Sequence, residues 1–379
     1  MFFKRSYLFY FLFLILIFYR IWSYTDRSSW EQTPDSRLKR IESFGKNLKK
    51  GNLLGIQPWM YPIDYSNEIN FSKKIQSYLE EASKKGYINP KTIVVFPEYL
   101  GTWLVVAGEK TSVVKSDKLE GSMRTLILSN PVSFIFNFFK AQGKDKIRDA
   151  LFRMKAEKML SIYSNTFSGM AKKWGVTIVA GSILLPEPYN ILEGKIQIRN
   201  GALKNVSYVF LPYGRVAENS PEKIYPIEGE KSFVAAATLK NLKIIQSPMG
   251  KIGVLVCADS WYPEVYEIFK KQNVNFVVVP SYVAPDGAMS EVWKGYNGSK
   301  NPTDIRLEDV HRISEGEAWL KYALAGRILK SGATHGMNVF LRGSLWDLGS
   351  DGEIILVHRS MVRTFPKIYG ASIVNLWLD

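Results

Sequence analysis

The chain contains one cysteine, Cys257, in 379 residues. A single thiol closes no disulfide within the chain and builds no thiolate metal cluster. Histidine is nearly as scarce: His311, His335 and His358 all fall in the C-terminal quarter, without H-x-x-x-H spacing, which argues against a zinc hydrolase. None of the three sits in a recognisable Cys/His or Ser/His motif, and each is assigned a surface or core-edge role. Zinc-finger, RNP and helix-turn-helix patterns are missing too, as are internal repeats and low-complexity tracts. Nucleic acid is therefore not an expected partner, although 50 Lys+Arg against 35 Asp+Glu give a net charge of +15. The basic residues are spread along the chain and read as a solvated surface, near a membrane. No cofactor and no metal-ligand set is assigned.

Apolar residues are plentiful. They make up 46% of the chain against 22% charged, the balance of a globular protein long enough for one large domain or two modest ones. Residues 7–19, YLFYFLFLILIFY, form an unbroken apolar run behind Lys4 and Arg5. Extended to Phe2–Trp22 it reaches roughly 20 residues, the length of a bilayer span, with Lys4, Arg5 and Arg20 reaching for the interfaces. Tyr7, Tyr10, Tyr19, Trp22 and Tyr24 supply interfacial aromatics, and no A-x-A-like cleavage site follows. The segment 1–24 thus reads as a retained signal anchor, with a cleaved signal peptide and a buried helix as alternatives. Lys4 and Arg5 favour an exported body, on the periplasmic or extracellular side. Arg20, Arg27, Arg37, Lys39 and Arg40 compete, which leaves the orientation open. Residues 25–51 are polar and read as a linker.

From residue 52 the pattern alternates. Asn52–Ile56, Thr92–Phe96, Val176–Leu185, Ile196–Arg199, Ser207–Leu211, Lys251–Val256, Asn275–Pro280, Asn338–Arg342 and Glu353–His358 read as strands. Helices are expected over Phe71–Lys85, Ile162–Trp174, from Pro263, and over Glu315–Ser331. Interleaved strands and helices imply an α/β layered domain over 52–379. One stretch, about 105–160, interrupts this rhythm with PVSFIFNFF (131–139) and a basic segment after it. It reads as an insertion with its own packed helix, or as a lid or membrane-dipping element.

Three segments carry reactive side chains: FPEYLGTW, PEKIYPIEGE and VLVCADSWYPE. Cys257 closes an apolar strand, where a sharp turn into a helix exposes the sulfur and brings backbone N–H groups near an oxyanion. Glu98 follows a buried strand and Pro97; a poorly solvated carboxylate there is a credible proton acceptor. Taken singly, each has a bland alternative: a satisfied strand-end carboxylate, a solvated Lys223, a core cysteine.

Together and in this order they resemble the nitrilase, or carbon–nitrogen hydrolase, superfamily. The resemblance rests on Phe96-Pro97-Glu98, Lys223, and Gly253-Val254-Leu255-Val256-Cys257-Ala258-Asp259 with Pro263-Glu264. Val179–Ser182, NVSYVFLPYG (205–214), Val278–Ser281, Ala325-Gly326-Arg327 and the Gly343…Glu353 region agree, so it covers about residues 52–360. Its aliphatic-amidase-like and apolipoprotein N-acyltransferase-like branches are the nearest in motif. The resemblance implies a four-layer α-β-β-α sandwich, here preceded by the membrane helix. It implies Glu98 as base, Cys257 as nucleophile through a thioester, and Lys223 with the Ala258 N–H as oxyanion stabilisers. A second carboxylate falls on Glu230 or Glu228. The implied activity is amidase-type hydrolysis of a small amide or nitrile. The alternatives are transfer of an acyl group to an amine, and a non-catalytic binding protein on the same fold. Homo-oligomers are common in the superfamily. Ala258 stands where many members carry an aromatic, and Tyr225-Pro226 replaces the usual His-Leu, so the pocket is expected to be its own.

Overall fold

The computed structural model describes residues 2–191 and 194–379; the side chains of Lys4 and Arg5 lie outside the described residues. Two six-stranded sheets pack face to face. The first runs Leu38–Phe44, Ala371–Trp377, Asn52–Gln57, Thr92–Phe96, Thr177–Ala180, Val209–Phe210. The second runs Met361–Arg363, Ile355–His358, His335–Phe340, Phe276–Ser281, Gly250–Val254, Ile244–Ser247. Strand side chains alternate between faces. Leu53, Ile93, Val95 and Val179 of the first sheet therefore meet Ile252, Val254, Val278 and Met337 of the second.

The outward-facing set of the first sheet, with Leu54, Val94 and Phe96, packs against the helices Glu68–Lys84 and Lys146–Trp174 through Phe71, Ile75, Tyr163 and Phe167. On the other side Leu255, Val277 and Val279 pack under Val265, Tyr266, Phe269, Leu324 and Ile328. These are the four layers α-β-β-α. Asn67 starts one outer helix by accepting the Asn70 N–H at 2.9 Å, and Asp145 starts the other by accepting that of Arg148 at 3.0 Å.

Several expected boundaries move. Part of the expected linker, Leu38–Phe44, is an edge strand pairing in parallel with Ala371–Trp377; its charged residues hid a half-buried strand. The helix expected from Ile162 begins at Lys146, because nothing after the Asp145 cap breaks it. Val176–Leu185 splits at Gly181, whose φ is +72° and where a Cβ would lie 2.0 Å from the Pro97 carbonyl oxygen. The helix expected over Glu315–Ser331 breaks into Glu315–Tyr322, Leu324–Arg327 and a 3-10 turn. Ala323 leaves helical geometry there (φ −102°, ψ −149°).

Residues 105–160 form an excursion containing the short helices Thr111–Lys115, Leu119–Ser129 and Pro131–Lys140. Its first buried acid, Glu109, binds Lys155 at 2.5 Å and Arg27 at 2.9 Å. Arg27 directly follows the N-terminal helix Phe2–Tyr24, and Lys110 donates to the carbonyls of Trp22 and Thr25 at 2.6 and 2.7 Å. Tyr19 donates to the Leu128 carbonyl. The N-terminal helix is thus fastened at its C-terminal end to the excursion, and over Tyr7–Tyr24 it is long and apolar enough to cross a membrane.

Candidate active site

The buried strand Thr92–Phe96 delivers Glu98 through a turn seated on the Gly181–Ser182 corner. There Tyr99 N–H donates to Ser182 Oγ at 2.9 Å and Gly101 N–H to the Ser182 carbonyl at 2.9 Å. Tyr99 takes φ +60°, an uncommon conformation for a side chain of its size. Lys223 arrives on a segment held to the long hairpin by its N–H bond to the Asn205 carbonyl, 2.8 Å. Glu230 lies in the turn that follows, its carboxylate taking the Ile227 N–H at 2.8 Å.

These side chains converge. Lys223 Nζ lies 2.8 Å from Glu98 Oε1 and 2.7 Å from Glu230 Oε2. Asn205 Nδ2 donates to Glu98 Oε1 at 2.9 Å, and the Tyr99 hydroxyl donates to Glu230 Oε1. All three charged residues are at most 4% exposed, so the ammonium between two carboxylates replaces the water each has lost. Burial, then the neighbouring Glu98 charge, pushes the Glu230 carboxyl well above its ordinary range. Burial pulls Lys223 down, but Glu98 and Cys257 outweigh it and raise the ammonium above its usual value.

Cys257 follows the strand Gly250–Val254 and takes φ +51°, opening a 3-10 turn over Cys257–Trp261. A non-glycine residue held there stores about 1–3 kcal/mol of strain. Three bonds hold the turn: Ser260 Oγ to the Cys257 carbonyl at 2.7 Å, Val256 N–H to Asp259 Oδ2 at 3.3 Å, and the Tyr266 hydroxyl to the Ser260 carbonyl at 2.7 Å. Asp259 also accepts the N–H groups of Ile224 and Tyr225 at 2.9 and 2.8 Å. One side chain therefore locks the cysteine turn to the lysine segment. Burial and the Glu98 charge push the Cys257 thiol well up, with Lys223 pulling the other way.

Cys257 and Ala258 lie in a cavity of about 590 Å³ walled by Trp261, Trp293, Trp319, Tyr282 and Tyr296. Trp261 meets Trp319 edge-on at 4.9 Å. Glu228, Glu291 and Glu315 line it with one lysine, Lys294. Burial raises the Glu315 carboxyl to about 7.

Of the two candidate second carboxylates, Glu230 joins the buried group. Glu228, with its side chain 74% exposed, lies at the cavity and pairs with Lys231 at 3.3 Å. Sequence reasoning gave no role to Tyr99, Asn205 or Asp259. Asp259 stands inside the cysteine motif quoted above and Tyr99 beside Glu98, which was the available signal; Asn205 opens a hairpin segment that gave no chemical hint.

The family model described as Carbon-nitrogen hydrolase matches residues 61–302. The omega-amidase NIT2 of Danio rerio is 31% identical over 136 residues, 34% of this chain and 44% of that relative's length. The chain thus aligns with less than half of that curated relative. Among solved structures, a carbon-nitrogen hydrolase from Helicobacter pylori G27 has a TM-score of 0.53 at 18% identity, covering 86% of this chain and 88% of that one. An amidase from Nesterenkonia sp. gives 0.51 at 15% identity, covering 86% and 90%. The two structures share the fold.

Proposed function

The chain belongs to the carbon–nitrogen hydrolase family, and on that premise we propose that it is a membrane-anchored, amidase-type hydrolase working through a thioester on Cys257. The observation that carries this reading is the water-excluded group in which Lys223 bridges Glu98 and Glu230, at 2.8 and 2.7 Å, next to a cysteine held at positive φ.

In this mechanism the Glu98 carboxylate takes the Cys257 proton as sulfur attacks the amide carbon. The new oxyanion faces Lys223 and the Ala258 N–H, whose charge and dipole are already in place. Collapse breaks the C–N bond, and Glu98 returns the proton to the departing amine. Water, deprotonated by Glu98, then attacks the thioester and releases the acid and the free thiol. Glu230, whose oxygens accept from Tyr99, Ile227 and Lys223, holds Lys223 in position.

The cavity narrows the substrate. About 590 Å³ suits a small molecule. Indole and phenol walls favour an apolar or aromatic group, and three carboxylates against one lysine favour a neutral or cationic amide over an anionic one.

Anchoring rests on the apolar run of Tyr7–Tyr24 and its attachment to the body. The adjoining helix Pro131–Lys140 has no buried residue, and Val132, Ile135, Phe136 and Phe139 are all exposed. Its N-cap residue Asn130 accepts from Arg27, just past the C-terminal end of the span, so we assign its aromatic face to the same bilayer surface. The division of the chain becomes an anchor over 1–24 and a catalytic body from Leu38.

The membrane placement also favours a second reading, acyl transfer from Cys257 to an amine. Incubation with an aromatic amide and then acid quench is the deciding experiment. The expected result is an acyl adduct on the Cys257 peptide by mass spectrometry, decaying to free acid at the steady-state rate. An adduct formed from labelled phospholipid, and not from amides, would transfer the assignment to the second reading. No adduct from either would remove both.

A further inference from the structure

His335 opens the strand His335–Phe340 and His358 closes its antiparallel neighbour Ile355–His358. The two residues are direct cross-strand partners, and their rings lie 4.8 Å apart at 26°. Asp379 follows Ala371–Trp377, a strand of the other sheet. It sets Oδ1 3.2 Å from His335 Nε2 and Oδ2 3.1 Å from His358 Nε2. One ligand atom from each of the three residues falls within a 4.8 Å group.

The orientation of His335 is the second observation. The residue is 5% exposed, and its Nδ1 is engaged by Thr334 Oγ1 at 2.9 Å. Its Nε2 is buried, makes no well-aligned hydrogen bond and faces the other two groups, with Asp379 Oδ1 at ion-pair distance, 3.2 Å. A buried nitrogen whose polar neighbours are poorly aligned leaves part of its hydrogen-bonding capacity unused. Fixing a ring through its other nitrogen is how metal-bound histidines are oriented.

We propose that His335, His358 and Asp379 form a three-ligand site for a late first-row divalent ion, zinc above all, with water completing a tetrahedron. Imidazole nitrogens and one carboxylate are ligands that zinc accepts. Ligands at about 2.0–2.1 Å stand roughly 3.3 Å from one another in that geometry, close to the two histidine–carboxylate separations of 3.2 and 3.1 Å. The remaining histidine–histidine edge closes by rotation of His358, whose side chain is 20% exposed. Arg359, 65% exposed, lies 3.0 Å from Asp379 Oδ2 and swings out as the ion enters.

The site is structural. Phe276–Ser281 runs parallel to both Gly250–Val254 and His335–Phe340. Cys257 lies beyond the carboxyl end of its strand, whereas His335 opens its own, so the ion sits at the opposite end of the sheet from the nucleophile. It ties the second sheet to the segment leaving the first.

The test uses the full chain in detergent, freed of metal with a chelator and titrated separately with Zn²⁺ and Co²⁺. The expected result is one ion per chain, a visible Co²⁺ ligand-field band, and a Tm about 5 °C higher at saturating Zn²⁺. His358→Ala and Asp379→Asn, both at partly exposed positions, should fold and weaken Zn²⁺ binding by at least about a hundredfold. His335→Ala is the less informative variant because the residue is buried. Absence of a band and of a Tm shift in the parent chain overturns the proposal. Binding that survives His358→Ala does so too, since the ion would then sit elsewhere.

Discussion

Around Cys257 the chain hides what water would solvate, and along the helices Phe2–Tyr24 and Pro131–Lys140 it displays what water avoids. Glu98 and Lys223 are 1% exposed and Glu230 4%, whereas Phe139 is 82% and Val132 76% exposed. Either arrangement is unfavourable alone. Desolvated charge costs several kcal/mol per ion, and each large apolar side chain left in water forgoes about 1.5–3 kcal/mol. The charges compensate one another inside the chain, with the ammonium between two carboxylates. The aromatic face is left largely to water by the folded chain, and the proposed anchoring covers it with a bilayer surface. On that proposal the first region is complete as folded, while the second is completed by a surface.

The largest effect should come from Cys257→Ala. Amide turnover should fall by at least about a thousandfold, with Tm within a few degrees of the parent. Residual turnover above a few percent would detach the buried charges from catalysis.

Next is Glu109→Ala, which leaves Lys155 buried and unpaired where the two regions are joined. Urea unfolding should give a loss of about 3–5 kcal/mol, with part recovered by adding Lys155→Met. A loss below about 1 kcal/mol would mean that the Lys110 and Tyr19 bonds hold the N-terminal helix without Glu109.

The third prediction concerns the displayed face. In a Cys257→Ser background, an environment-sensitive dye at Phe139→Cys should shift to the blue in vesicles and be quenched by lipid-borne quenchers. The same dye at Tyr213→Cys should not respond. Tyr213 is exposed beside Gly214, whose carbonyl takes a bond from Ser168 near the far end of the helix Lys146–Trp174. Quenching at Leu12→Cys without quenching at Phe139→Cys would confine the bilayer contact to the span.

The smallest effect is at the cavity. Glu315, with its carboxyl raised to about 7, is neutral below that pH and negative above it. For an amide carrying an ammonium group, kcat/KM should rise about fivefold as pH passes upward through 7, beyond the rise of a neutral isostere. Glu315→Gln should abolish the difference. A slope that persists in the variant would assign it to another group.

The layers were legible because sheets buried on both faces announce themselves as short β-branched runs such as TIVVF and FVVVP. The group around Cys257 was legible in part, through three segments whose residue types together fit one chemistry. What escaped has physical reasons. Leu38–Phe44 is an edge strand with a solvated face, so its charges looked like a linker. Asn205 acts through the register of a hairpin, and register is fixed by partners distant in sequence. His335 and His358 defeat any test of spacing along the chain, since a strand pairing makes them neighbours. Choosing between Glu228 and Glu230 needed the turn, which sends one carboxylate inward and the other to the rim.

The edge strand has a consequence for timing. Leu38–Phe44 and Asn52–Gln57 do not pair with each other; Ala371–Trp377 is laid between them. A ribosome delivers the two flanking strands long before the one that joins them. Until then the first sheet keeps an open slot lined with unpaired backbone, an edge that other chains can fill. The newborn polypeptide must guard that slot until Ala371–Trp377 arrives.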